Sequence, residues 1–230
     1  MDHKLQTPVF AAFILWFAMF SPWTKTDVNF WGLMLSAAVL LSALSLWNGR
    51  FLWQARWQRL CVMSLSQGLK YALSQLLLGV AIAAILWGVF YVGDKVSQWL
   101  FPSFARVQVN QIYAIKGSWS PQLLAWLLLL LVGPAEEIFW RGYVQEAFCR
   151  VFANSDTPKV SQLSSLVAFV VATLVYSLIH VPSMNFMLIM AALVCGVVWG
   201  GVYYLRPQWL PAIVVSHALW DAAVFIWLPI

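Results

Sequence analysis

Leu127-Leu128-Leu129-Leu130-Leu131-Val132-Gly133-Pro134-Ala135-Glu136-Glu137-Ile138-Phe139-Trp140-Arg141-Gly142: an unbroken apolar run leads into two adjacent glutamates and, four residues after the second, an arginine. A run of this kind needs an apolar solvent, and a pair of carboxylates inside it needs a purpose. The rest of the chain shares the apolar character. Of 230 residues, 63% are hydrophobic and 9% are charged, against roughly 25% charged in an average soluble domain. The mean hydropathy is +0.81. So few charges cannot cover a soluble core of this length, and the composition excludes a disordered chain and a disulfide-built module. The fold class that remains is all-α, a polytopic transmembrane helix bundle.

Working outward from that stretch, seven segments are apolar enough, or nearly so, to cross about 30 Å of hydrocarbon with about 20 residues each. They run roughly 8–23, 28–47, 69–92, 121–140, 162–181, 184–205 and 209–227. The expectation is seven to eight spans in a single integral-membrane domain over 1–230, with N-terminal helices in 1–120 and the polar motifs in 121–225. Residues 48–68 mix Arg50, Arg56 and Arg59 with Phe51, Leu52, Trp53, Trp57 and Leu60. That mixture predicts an amphipathic helix lying on the membrane interface. Residues 93–120, with Gly93, Pro102, Gly117 and Pro121, read as a loop on the other side with a short interfacial element.

Thirteen basic residues against eight acidic give +5, spread along the chain with no basic tract. That argues against a nucleic-acid partner and for loops facing an anionic leaflet. With the N-terminus inside, Lys4, Arg50, Arg56, Arg59, Lys70, Arg141, Arg150, Lys159 and Arg206 fall on the cytoplasmic side. Lys25, Lys95, Arg106 and Lys116 fall outside, which favours N-in and C-out. Lys4 and the apolar run Val9–Phe20 are followed by Ser21-Pro22-Trp23, not a small-x-small cleavage site, so a retained first helix is expected. The last residues, Trp227-Leu228-Pro229-Ile230, do not form a CaaX box. Cys61, Cys149 and Cys195 lie far apart with no CxxC spacing, which suits neither a disulfide framework nor a zinc knuckle. The lack of organelle signals and the short length point to a bacterial inner (cytoplasmic) membrane.

An ionisable side chain within a span costs about 2.5–3.5 kcal/mol on insertion scales, so each is presumed functional. They occur in three places. Glu136 and Glu137 cannot both be ionised cheaply in a low dielectric. Glu137 and Arg141 are i and i+4 and share a helix face, while Glu136 points about 100° away and is left for other work. Pro134 removes a helix hydrogen bond just ahead of the pair and can bend the helix. The plainer reading is a solvated helix end. His180 closes Tyr176-Ser177-Leu178-Ile179-His180, with Tyr176 four residues upstream on the same face; the plainer reading is an interfacial cap. His217 and Asp221 are again i and i+4, and the plainer reading is a polar pair that fixes helix packing. His3 lies in the N-terminal tail. Taken as a set, these carboxylates, imidazoles and the arginine could meet in a bundle interior. There they could activate a water and stabilise an oxyanion, the two needs of peptide hydrolysis. The same groups could instead bind zinc, through Glu136, Glu137, His180 and His217. With the fourth span ending at 140, the glutamates fall near the inner face and His180 near the outer, which sets the motif reading against the span boundaries.

Glu136-Glu137-xxx-Arg141-Gly142, Tyr176-xxx-His180 and His217-xxx-Asp221 together resemble the three-motif pattern of the CPBP (Abi) intramembrane protease family, which includes type II CaaX prenyl endopeptidases and bacteriocin self-immunity proteins. The region 121–225 carries the resemblance. It implies a helix bundle and a glutamate-dependent endopeptidase without a cofactor. By position it implies Glu136 as the base that activates water, His180 assisting, and Glu137 supporting the site with Arg141. It also implies His217 and the residue at 221 as stabilisers of the oxyanion. Tyr176 stands where the family usually has Phe, and Asp221 where it often has Asn. An ionised Asp cannot donate to an oxyanion, so Asp221 is either protonated in a dry setting or orients and charges His217, and the second is expected. The expected partners are a membrane-associated protein or peptide substrate and the lipid bilayer. The substrate classes left open are a prenylated protein, a leader peptide and a C-terminal sorting tail. Two other functions compete: a zinc-dependent version of the protease, and a non-enzymatic immunity, scaffold or transport protein. Transporters more often place broken helices in both halves, whereas here the polar residues cluster in the second half.

Overall fold

A computed structural model describes residues 3–153 and 161–230, with side chains from Gln6 onward. Helices α1 (His3–Phe20), α2 (Phe30–Asn48), α3 (Arg50–Cys61), α4 (Leu65–Leu100) and α5 (Pro102–Ala114) form the first half. Helix α6 (Pro121–Val151), α7 (Gln162–Leu178), α8 (Phe186–Leu205) and α9 (Leu210–Ala222, continued by a wider turn over Ala223–Trp227) form the second. No strand occurs among the described residues. Six helices are long and apolar enough to cross a membrane, and the apolar stretch Gln6–Phe20 of α1 is shorter. Lys159 and the side chain of Lys4, both assigned to the cytoplasmic side above, lie outside the described residues.

Local signals start and stop these helices. The Asn29 side chain accepts the Gly32 N–H at 2.8 Å and opens α2. Ser64 and Gln67 form a reciprocal capping box at the head of α4. The side chains of Ser120, Ser161 and Asn185 each accept one N–H from the first turn of α6, α7 and α8. Proline stands at or next to the first position of α5, α6 and α9, where its missing N–H costs nothing.

Three boundaries differ from the sequence reading. Helix α1 already includes His3, which was expected in a tail. Helix α4 does not end at 92 but runs for 36 residues to Leu100, about 54 Å at 1.5 Å per residue. Gly93 has open space around it and leaves the helix intact; Pro102 disfavours a helical conformation at Phe101 and ends it. The fourth span does not stop at 140 but continues to Val151, so Glu136 lies at mid-helix. That removes the conflict between the glutamates and His180.

Helix α9 packs along α4 and α6, α6 also meets α2, and α7 pairs with α8. Glycine lets backbones touch at two places. A Cβ on Gly133 of α6 would come within 2.7 Å of the Ala218 Cα on α9, and one on Gly79 of α4 within 2.7 Å of the Ala212 carbonyl. In contrast, only 22% of the most apolar window of α4 is buried. Leu69, Leu73, Leu76 and Leu77 face outward, which suits a lipid solvent and no other. Helix α3 tucks Leu52 inward and shows Arg50, Arg59, Phe51, Trp57 and Leu60 on its outer face, the mixture of an interfacial helix. The chain is an all-α polytopic membrane bundle.

Candidate active site

Proline at 134 cannot donate the next helix hydrogen bond, and α6 widens just before it. Over Leu128–Val132 the turns are π-helical, with the Gly133 N–H reaching back to the Leu128 carbonyl. A second wide stretch covers Trp140–Gln145. Between them, a regular turn carries Glu136 and Glu137.

The two glutamates have opposite surroundings. Glu137 is fully buried. Its Oε1 accepts from Arg141 Nη1 at 2.6 Å and lies 2.6 Å from His217 Nδ1, an α6 cation on one side and an α9 imidazole on the other. Arg141 in turn lies over the rings of Tyr176 at 4.7 Å and Trp199 at 5.5 Å. His217 stacks on Trp199 with centroids 3.9 Å apart, and its Nε2 lies 3.4 Å from Asp221 Oδ2. Trp199 is itself anchored by donating to Ser216 Oγ at 3.0 Å. Glu136 is only half-buried and, among the described residues, meets one donor, the Tyr176 hydroxyl, at 3.4 Å from its Oε2.

His180 follows the last turn of α7. Its Nδ1 sits 2.9 Å from the Tyr176 carbonyl, which can only accept, so that nitrogen carries the proton. Its Nε2 accepts from the indole of Trp16 on α1 at 3.3 Å.

A cavity of about 490 Å³ joins these groups. Glu136, Tyr176, His180, His217 and Asp221 all line it, while Glu137 and Arg141 sit behind its wall. The seven polar residues singled out from the sequence are thus brought to one place from α6, the end of α7 and α9. Sequence reasoning missed Trp16, Trp199 and Ser216, because aromatic and hydroxyl residues in apolar helices look alike whether they face lipid or a site. It also missed Asp94, which lines the same cavity. No sequence signal marked it: Phe90, four residues earlier, meets Trp220 edge-on with centroids 4.6 Å apart, so α4 turns that face toward α9, a tertiary fact.

Glu137 Oε1 and both nitrogens of His180 already have protein partners. Among the described residues no group of three or more His, Cys, Asp or Glu side chains is placed to hold a metal ion.

Residues 118–223 match the family model described as type II CAAX prenyl endopeptidase Rce1-like. No curated protein and no solved structure matches the chain. The matched region holds every motif residue from Glu136 to Asp221 and leaves out α1 to α5, which supply Trp16 and Asp94. Over residues 118–223, therefore, the chain is similar to the Rce1-like type II CAAX prenyl endopeptidases.

Proposed function

We propose that this chain is an intramembrane endopeptidase that uses Glu136 to activate water against a peptide bond of a membrane-associated protein. The observation that carries the reading is the division of labour between adjacent carboxyls: Glu136 opens on the cavity and Glu137 is sealed behind it. In this mechanism the Glu136 carboxylate takes a proton from water as the oxygen attacks the scissile carbonyl. The resulting oxyanion accepts the His217 Nε2–H, which turns from its longer 3.4 Å contact with Asp221 while Nδ1 stays on Glu137 at 2.6 Å. Collapse of the intermediate breaks the C–N bond, and Glu136 returns the proton to the leaving amine. His180 assists at the same wall of the cavity. The base requires no metal, in keeping with the protein partners that already engage Glu137 and His180.

The family name and the apolar cavity make a prenylated CaaX peptide the first substrate to test. A farnesylated CaaX peptide should be cut by the purified chain in detergent. Glu136→Gln should lower the rate by about 10²–10⁴-fold, the range of a positioned general base, with an unchanged melting profile. Cleavage that survives Glu136→Gln overturns the reading. Cleavage abolished by a zinc chelator and restored by zinc overturns its metal-free form.

A further inference from the structure

The cavity has a second polar end that hydrolysis does not use. Asp94 on α4 lines it together with Ser97 and Tyr113. The Asp94 side chain is 7% exposed, although it sits past the point where the apolar sequence of α4 fades. Gln98 Nε2 donates to its Oδ2, and Lys95 Nζ approaches that same oxygen at 3.6 Å. Its Oδ1 is buried and has no hydrogen-bond partner among the described residues. A buried carboxyl oxygen left unpaired costs about 1–3 kcal/mol or more, so a donor from outside the chain gains by meeting it.

Gln98 and Lys95 engage the other oxygen, Oδ2, and the remaining neighbours, Tyr113 and Ser97, have their hydroxyl protons placed elsewhere. The Tyr113 hydroxyl donates to the Val224 carbonyl at 3.1 Å and accepts from the Ile230 N–H at 2.9 Å. Ser97 Oγ donates to the Asp94 backbone carbonyl at 2.9 Å. Burial pushes the Tyr113 phenol above its ordinary value and the Asp94 carboxyl adds to that push, which places the two groups within electrostatic reach.

The charge of the cavity selects the donor. Three carboxyl residues, Asp94, Glu136 and Asp221, line it, and no lysine or arginine does. Such a wall attracts a cation and repels a carboxylate. We propose that Asp94 forms a subsite for a lysine or arginine side chain of the peptide substrate. This rests on the reading of the cavity as a peptide-binding site, not on the identity of the base. The spacing follows from α9. Val224, against Tyr113, lies seven residues beyond His217, roughly 10 Å along a helix axis. An extended peptide covers that in about three residues at 3.3–3.6 Å each.

The test uses the full chain in detergent and farnesylated, CaaX-ending peptides carrying Lys or Gln, one position at a time, within three residues of the scissile bond. Binding of fluorescein-labelled peptides is measured by anisotropy on the Glu136→Gln chain, so that turnover plays no part. At one position Lys should bind at least about tenfold tighter than Gln, and adding Asp94→Asn should shrink the ratio below about twofold, the scale of a hydrogen bond to a charged group. Asp94→Glu, which keeps the charge, should retain a preference for Lys, and that arm decides if Asp94→Asn does not fold. No preference in the starting chain, or an unchanged preference in Asp94→Asn, overturns the subsite. Cleavage of the same peptides by the unsubstituted chain separates the two ideas. Preferential binding without cleavage overturns hydrolysis and leaves the subsite standing; cleavage without preference overturns the subsite alone.

Discussion

At the scale of the residue, Glu136 and Glu137 differ by one position and by nearly everything around them. Glu137 neutralises Arg141, orients His217 and has almost no water. Removing its charge leaves a buried arginine without its partner, and breaking a buried pair in this way costs about 3–5 kcal/mol. Glu137→Gln should therefore unfold at markedly lower temperature or denaturant than Glu136→Gln, whose side chain meets a single hydroxyl at 3.4 Å. Thermal unfolding of both variants in the same detergent checks this; equal stability contradicts it. Part of this arrangement is legible in the sequence. The i, i+4 spacings of Glu137 with Arg141 and His217 with Asp221 bring those groups together on one helix face. The bond between Glu137 and His217, 80 positions apart, depends on how α6 meets α9. Nothing in Phe13–Met19 marks Trp16 as the partner of His180.

At the scale of the element, α6 is held against α9 by the absence of a side chain. Gly133 lies within a turn of Glu136 and Glu137 and meets the Ala218 backbone, next to His217. Gly133→Val should force the helices apart, at about 1–3 kcal/mol for overpacking. It should lengthen the Glu137–His217 contact and cut cleavage without touching any polar group. A side chain at Gly88, where nothing lies within 4 Å, is the control. Unaltered cleavage in Gly133→Val would contradict the close approach. Helix existence was readable from apolar runs, whereas helix length was not. The sequence reading stopped the fourth span at Trp140 because Arg141 ends the apolar run. Arg141 is buried because Glu137 and two aromatic rings receive it, a tertiary fact.

At the scale of the whole molecule, composition decides the solvent, and the polar minority decides the interior. The outward leucines of α4 make sense only in lipid, while the cavity draws its lining from both halves of the chain. The family resemblance covers the second half and so covers only part of that lining. The first half contributes Asp94 to the lining and Trp16 as the partner of His180, and no motif announces either. The two wide stretches of α6 also have a consequence for the chain as a linear object. Each holds a surplus residue relative to a regular helix and so acts as a phase adjuster between the face that meets α2 and α9 and the face that meets α7 and α8. Inserting an alanine after Leu124, in the regular turns ahead of the first stretch, should turn everything before it by about 100° relative to Glu136, because that stretch already holds its surplus residue. The protein would stay as helical by circular dichroism, yet lose cleavage through a change of rotation alone. Cleavage that survives the insertion would show that the rotation of this helix is not fixed. If the phase matters, length in this helix is as constrained as chemistry, and insertions tolerated in the loops should be excluded here.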